Sequence, residues 1–452
     1  MKTLLTQAII ILALFTAISL QAQVTMGSDE KPNAGALLDL KMNANSGANS
    51  TKGLGLPKVE LSDLSKLKIG TAPEITGADA LNHTGLIVYN TKETMCFSKG
   101  LYVWDGEQWQ ALSNEAKKRG SYAEDVQALK DLYTANPGNT LGWNLSGDPA
   151  NFAGVAWTTI CGEKRVNQLM IDNKNLTTST GIDKLDALTY LYCNDNQLTS
   201  LDVSGATALM TLHCYSNQLT SLDVSTNTAL TTLDCVLNQL TSLDVSNNTA
   251  LTTLNCVLNQ LTSLDVSNNT ALTTLSCSDN QLTSLDVSNN TALTYLSCTN
   301  NQLTSLDVST NTALTTLNCH YNQLTSLDVS TNMALTLLQC FDNQLTSLDV
   351  STNTALTTLS CSHNQLTSLD VSANTALTTL WCYSNQLTSL DVSTNTALTQ
   401  LSCSHNQLTQ AEVNKFKLHP NYCPNISTWD VTSQYFPGTT TIDPSVAKPT
   451  CP

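Results

Sequence analysis

Between residues 188 and 409 the apolar positions follow one pattern. In residues 251–271, LTTLNCVLNQLTSLDVSNNTA, they are Leu251, Leu254, Cys256, Leu261, Leu264, Val266 and Ala271. Nearly the same letters return every 21 residues, with cysteines at 193, 214, 235, 256, 277, 298, 319, 340, 361, 382 and 403. Leu-x-Cys and Leu-x-Val each have a period of two, which turns both members of a pair to one side of an extended segment. The Asn, Ser and Thr between them are turn formers. Each block therefore reads as one flattened superhelical coil whose seven apolar side chains point inward. It carries one short parallel strand on the cysteine side, or a second on the Leu-x-Val side as well. One coil alone leaves both of its faces uncovered, so stability must come from the stack, and stacking requires the inward letters to repeat. The expected class is a mainly β repeat solenoid.

The flanks read differently. Residues 166–187 form an atypical first coil, with Ile171 at the cysteine position, so the solenoid is assigned to 166–409. Residues 121–165 read as an N-terminal helical cap. In SYAEDVQALKDLYTANPG, Ser121 and Glu124 form a capping box, Val126, Leu129, Leu132 and Tyr133 share a face, and Pro137-Gly138 ends the helix. Trp143, Phe152, Val155 and Trp157 supply apolar bulk for an open solenoid end. From Gln410 the pattern fails, and 410–452 reads as a C-terminal cap and tail in which Cys423 and Cys451 are candidates for a disulfide.

Residues 114–120 (NEAKKRG) read as a linker, and 23–113 as a small, irregular, β-rich region. Its strand-like runs are LLDL, LGLPKVEL, TGLIVYN and GLYVWDGEQWQAL. The last contains a hairpin signal at Asp105-Gly106, with Trp104 and Trp109 as cross-strand partners. The stretch resembles the N-terminal segment of many secreted proteins of Gram-negative bacteria. Residues 1–22 have the form of a secretory signal peptide: Lys2, an apolar run over 8–20, and a small residue, Ala22, at the cleavage point. No other run approaches the roughly 18 apolar residues of a membrane span. These features predict a secreted or outer-surface location in a Gram-negative bacterium, with the periplasm as the alternative.

The motif LxxLxCxxNxL resembles leucine-rich repeats, and with cysteine at the second leucine and a 21-residue period it resembles the cysteine-ladder repeats of internalin-type bacterial surface proteins. The order helix, GWN, FAGVAW, RVNQLMIDNKNL over about 121–176 is similar to the N-terminal cap of such proteins. The resemblance implies a right-handed superhelix with the Leu-x-Cys strands on its concave face. It also implies that Asn196, Asn217, Asn238 and their successors bond neighbouring backbone. In function it implies adhesion, protein–protein interaction or an adaptor-like role.

Charge narrows the partners. The formal net charge is −16, and residues 188–409 hold fourteen Asp and no Glu, Lys or Arg. That opposes nucleic acid, whose phosphates need a basic footprint, and favours a basic or cation-bridged partner. The buried thiol row reads as core packing, because parallel in-register neighbours suit neither disulfides nor metal loops. A second row, Asp202, Asp223, Asp244, Asp265, Asp286, Asp307, Asp328, Asp349, Asp370 and Asp391, lies between inward residues and so points out. It reads as a solvated stripe, with weak calcium binding as the alternative; no other cofactor is implied. No GxSxG, HExxH or P-loop pattern occurs, and an enzyme is not expected, a polysaccharide-active solenoid being the last alternative.

The letters vary chiefly beside the cysteines. Tyr190, Tyr192, His213, Tyr215, Val236, Leu237, Val257, Leu258, Tyr295, His320, Tyr321, Phe341, His363, Trp381, Tyr383 and His405 all lie within three residues of a cysteine, whereas TSLDVS is copied almost unchanged. Aromatic anchors are typical of recognition surfaces. These residues are the expected binding face for a protein or glycan partner of a monomeric protein. The rival reading is a structural spacer or stalk.

Overall fold

The computed structural model describes residues 24–26, 38–40, 58–59, 61, 85–91, 100–105, 107–112, 120–160, 162–436, 439 and 441–451. The expected signal peptide and all of the linker except Gly120 lie outside them. The chain divides into two compact units, residues 1–118 and 119–452.

In the first unit β1 (Val24–Met26) pairs in parallel with β2 (Leu38–Leu40). A separate sheet has the order β3 (Lys58–Val59), β4 (Ile87–Asn90), β5 (Gly100–Trp104), β6 (Trp109–Ala111). The Asp105 carboxylate accepts the Glu107 and Gln108 backbone N–H groups at 2.9 and 2.7 Å, which closes the β5–β6 hairpin. Trp104 and Trp109 then sit opposite each other, edge to face, with ring centroids 5.4 Å apart.

The second unit is built on one sheet of fourteen strands. β7 (Val155–Ile160) and β8 (Glu163–Met170) form an antiparallel hairpin, and β8 pairs in parallel with β9 (Tyr190–Tyr192). One three-residue parallel strand then follows every 21 residues as far as β19 (Gln400–Ser402), and β20 (Trp429–Asp430) closes the edge. The eleven ladder cysteines are unbonded and buried. With the leucines and valines they form one continuous core from the N-terminal cap to the C-terminal one.

Two details differ from the pattern. Ala271 is exposed, and Asn269 occupies the interior in its place at 0 % exposure. Its amide donates to the Val245 and Asn248 carbonyls of the preceding coil at 3.0 and 2.9 Å, so a polar side chain stitches the turn. The Leu-x-Val side also forms no strand; an isolated bridge between Asp223 and Asp244 is the pairing found there. Its backbone groups are used locally instead. The Ser267 N–H goes to the Asp265 carboxylate and the Asn269 N–H to the Val266 carbonyl, both at 2.9 Å.

Both ends are sealed. Helix α1 (Tyr122–Ala135) starts with the complete Ser121/Glu124 capping box and buries Ala128, Leu129 and Leu132; Trp143 and Phe152 stack below it at 4.9 Å. Val126 and Tyr133 are only half-buried, while Asp125 is fully buried. Arg165 reaches it from β8 with two 2.9 Å bonds, and the Val166 N–H adds a third at 2.8 Å. At the other end come helix α2 (Gln410–Lys415), then Phe416, Tyr422 and Trp429, and the Cys423–Cys451 disulfide. The coil pattern does not stop at Gln410. Trp429, Val431 and Gln434 take the Leu, Cys and Asn roles of one more rung. The Gln434 amide donates to the Cys403 and Val431 carbonyls at 3.0 Å, and its oxygen accepts the Leu408 N–H at 3.2 Å.

Candidate binding face

The face is fixed by the backbone of each coil. In the strand Thr253–Asn255, Leu254 points inward, so Thr253 and Asn255 flank it outward. Cys256 then points in and Val257 out. Asn259 must come in again at once, and the chain manages this by putting the intervening residue, Leu258, in the left-handed conformation with φ of 56°. Every coil repeats the device: from Asp195 to His405 the second residue after each cysteine has φ between 49° and 56°. Asn and Asp enter this region readily, whereas larger side chains do so at a cost of about 1 kcal/mol or more. Leu237, Leu258 and Tyr321 nevertheless occupy it, and they are 50 %, 45 % and 52 % exposed.

The expected residues gather into three groups along this strip. In the first, Tyr192 stacks on His213 at 4.8 Å with the rings 9° from parallel, and Tyr215 meets the His213 ring edge-on at 6.3 Å. His213 Nδ1 lies 3.7 Å from the Asp234 carboxylate, whose pKa is pushed up by burial. Tyr190 is exposed beside them, and half-buried Val236 and Val257 continue the row next to exposed Leu237 and Leu258.

In the second group His320 stacks on Phe341 at 4.1 Å, and Tyr321 packs edge-on against both. Burial pushes the His320 ring below its usual pKa despite the nearby carboxylates of Asp342 and Asp279. Tyr295 stands one coil before, its hydroxyl accepting from the Asn318 amide at 3.5 Å. In the third group His363 meets Tyr383 edge-on at 5.0 Å, with Trp381 exposed nearby on its strand. His405 lies at the end, against Tyr435 at 5.5 Å. Tyr435 is outside the repeats, so its place on this strip had no period to announce it. Exposed Met210, four residues before Cys214, was likewise missed.

The aspartate row lies elsewhere on the coil. From Asp202 to Asp391 each carboxylate accepts the backbone N–H of the serine two residues on, as Asp265 does from Ser267 at 2.9 Å. In Asp265 the Ser267 hydroxyl and N–H hold the carboxyl below its ordinary pKa. Among the described residues, no group of three or more His, Cys, Asp or Glu is placed to hold a metal ion, and no helix is long and apolar enough to cross a membrane.

Two family models match parts of the chain: leucine-rich repeats (two copies) over residues 270–311, and a phage tail-like trimerisation region over residues 25–126. No curated protein matches. Among solved structures, the functional domain of InlJ from Listeria monocytogenes, described as including a cysteine ladder, is 41% identical with a TM-score of 0.53. The match covers 59% of this chain and 63% of that one. An internalin, inlF, from L. monocytogenes is 26% identical over 53% of this chain and 81% of that one, with a TM-score of 0.46. The chain thus spans a little under two thirds of the length of the InlJ domain it matches.

Proposed function

We propose, for an array that is a cysteine-ladder leucine-rich-repeat solenoid of the internalin type, that it binds a protein partner through the three groups beside the cysteines. One observation carries this: bulky apolar side chains are both exposed and held in left-handed backbone, at Leu237, Leu258 and Tyr321. Packing does not require them there, because Asp279 and Asn300 fill the same position in other coils with the same φ. Backbone strain retained at exposed apolar residues is characteristic of functional surfaces.

A protein suits the face better than a glycan. Sugars stack on open ring faces, and four of the rings here are turned on each other instead, Tyr192 on His213 and His320 on Phe341, which leaves Tyr190, Tyr321 and Trp381 as the exposed ones. The array's fourteen Asp and lack of Lys and Arg call for a basic surface around an apolar anchor, with affinity falling as salt rises. Export by the N-terminal leader and display at the cell surface complete the reading. In place of the monomer expected from the sequence, the match of residues 25–126 to a trimerisation region supports assembly of three copies, which would present three binding faces together.

The test compares the wild type with a Phe341→Ser/Trp381→Ser/Tyr383→Ser variant in capture from a cell-surface extract. We expect proteins retained by the wild type to be lost from the variant while its melting temperature holds. Equal capture by both would leave a structural spacer as the better account.

A further inference from the structure

The small sheet of the first unit is apolar on both faces, and one of them is open. Along β4 and β5 the buried side carries Val88, Asn90, Tyr102 and Trp104, joined by Trp109 from β6. The side chains between them point the other way. Ile87 stands opposite Val103 and Tyr89 opposite Leu101, with Gln110 beside Val103 and Leu112 bonded through its N–H to the Leu101 carbonyl at 2.8 Å. Ile87, Tyr89 and Leu112 are 38 %, 39 % and 43 % exposed. Five of these six outward positions are apolar and none is charged. A soluble antiparallel sheet ordinarily shows alternation, with polar residues on the open side. An uncovered apolar sheet face marks an interface.

We infer that this face is where three copies of the chain meet. Like-charged copies repel, each carrying a net charge of −16, so an apolar surface is where they meet at least cost. Charged residues next to this one, Lys58 in register with Tyr89 on the edge strand and Asp105 bonded to Gln110 at 2.9 Å, stand at its margins. The residues also fall inside the span that matches a trimerisation region. The inference rests on the three-copy assembly proposed above and assigns its contact surface.

The experiment is light scattering on the full chain over a range of concentrations, wild type against Ile87→Lys/Tyr89→Lys. The near-ultraviolet signal of the Trp104–Trp109 pair reports whether the sheet is folded. We expect three times the single-chain mass for the wild type and a threefold lower mass for the variant, with the tryptophan signal kept. A wild type of single-chain mass would overturn the assembly and the face together. A variant that stays three-fold would overturn the face alone and leave the assembly standing. Should the double variant lose the tryptophan signal, Leu112→Ser replaces it: dissociation on dilution at concentrations where the wild type holds supports the face, and unchanged mass refutes it.

Discussion

The Asn259 side chain is bonded to the coil before it on both sides of its amide. Its oxygen accepts the Leu240 N–H at 3.0 Å, and its nitrogen donates to the Cys235 carbonyl at 3.0 Å and to Cys256 of its own coil at 3.1 Å. All three groups are buried. The Cys235 and Cys256 carbonyls keep a second donor in the Asn238 and Asn280 amides at 3.1 and 3.0 Å, but the Leu240 N–H loses its acceptor once the amide is gone. Asn259→Ala is therefore expected to cost about 1–3 kcal/mol, the penalty of leaving one buried donor unpaired. Asn268, exposed on the same coil, is the control, and Asn268→Ser should change stability by no more than about 0.5 kcal/mol. Urea unfolding of the two variants compares them directly.

The thiol row predicts a sensitivity to alkali. Burial raises the thiol pKa of Cys193, Cys256, Cys298 and Cys340 to about 12. An unfolded cysteine has a pKa of about 8.5. Because the folded value is the higher one, the stabilisation is fully present below about pH 8.5 and is lost as pH climbs toward the folded value. Melting temperature should fall across that window, and a Cys256→Ala/Cys277→Ala variant should show a shallower fall. At neutral pH a thiol reagent should label none of the eleven ladder cysteines until denaturant is added. Rapid labelling of the native array would contradict the buried row.

Much of this was legible because stacking forces identity. Leu254, Cys256 and Leu261 recur because their neighbours above and below are themselves, and a period is the easiest signal to read. The Ser121 capping box and the Trp104–Trp109 hairpin are short-range motifs and were readable for that reason. Asn269 was hidden because its interior position is justified by bonds to Val245 and Asn248, which lie 24 and 21 residues away. The Gln434 rung was hidden because it keeps the chemistry of the asparagine ladder while changing its letters. Asp125 was hidden because a helical carboxylate reads as solvent-facing until its partner, Arg165, is placed beside it from 40 residues away. The left-handed position left a trace that could have been followed: Asp, Asn, Ser and His dominate it, which makes Leu237 and Leu258 anomalies.

Asp125 and Arg165 hold the N-terminal cap on the first coil, with Asp186 as a second partner of the guanidinium. Removing Arg165 strands the fully buried Asp125 carboxylate, so Arg165→Met should cost about 3–5 kcal/mol, whereas Asp125→Ala leaves the guanidinium paired with Asp186. Adding Asp125→Ala to Arg165→Met removes the orphan and should recover part of the loss. Denaturation midpoints for the single and double variants test this. No recovery in the double variant would mean that the pair's hydrogen bonds to backbone, such as that from Val166, matter more than the charge.

Leu237 and Leu258 separate what the fold needs from what the face does. Their backbone, at φ of 54° and 56°, is one that asparagine adopts with little strain and leucine does not. About half of each side chain is already in water, so little burial is lost on replacement. Leu237→Asn and Leu258→Asn should therefore each leave stability unchanged or raise it by up to about 1 kcal/mol. The reverse exchange, Asp279→Leu, puts leucine where φ is also 54° and should lower stability by a similar amount. If the strip is a recognition surface, the two asparagine variants will melt no lower than the wild type and yet retain less partner in the capture experiment. Stability and binding moving in opposite directions cannot arise from damage to the solenoid. Variants that melt higher and bind undiminished would show that the leucines are tolerated drift, and would confine the face to the aromatic groups around Tyr192, Phe341 and Trp381.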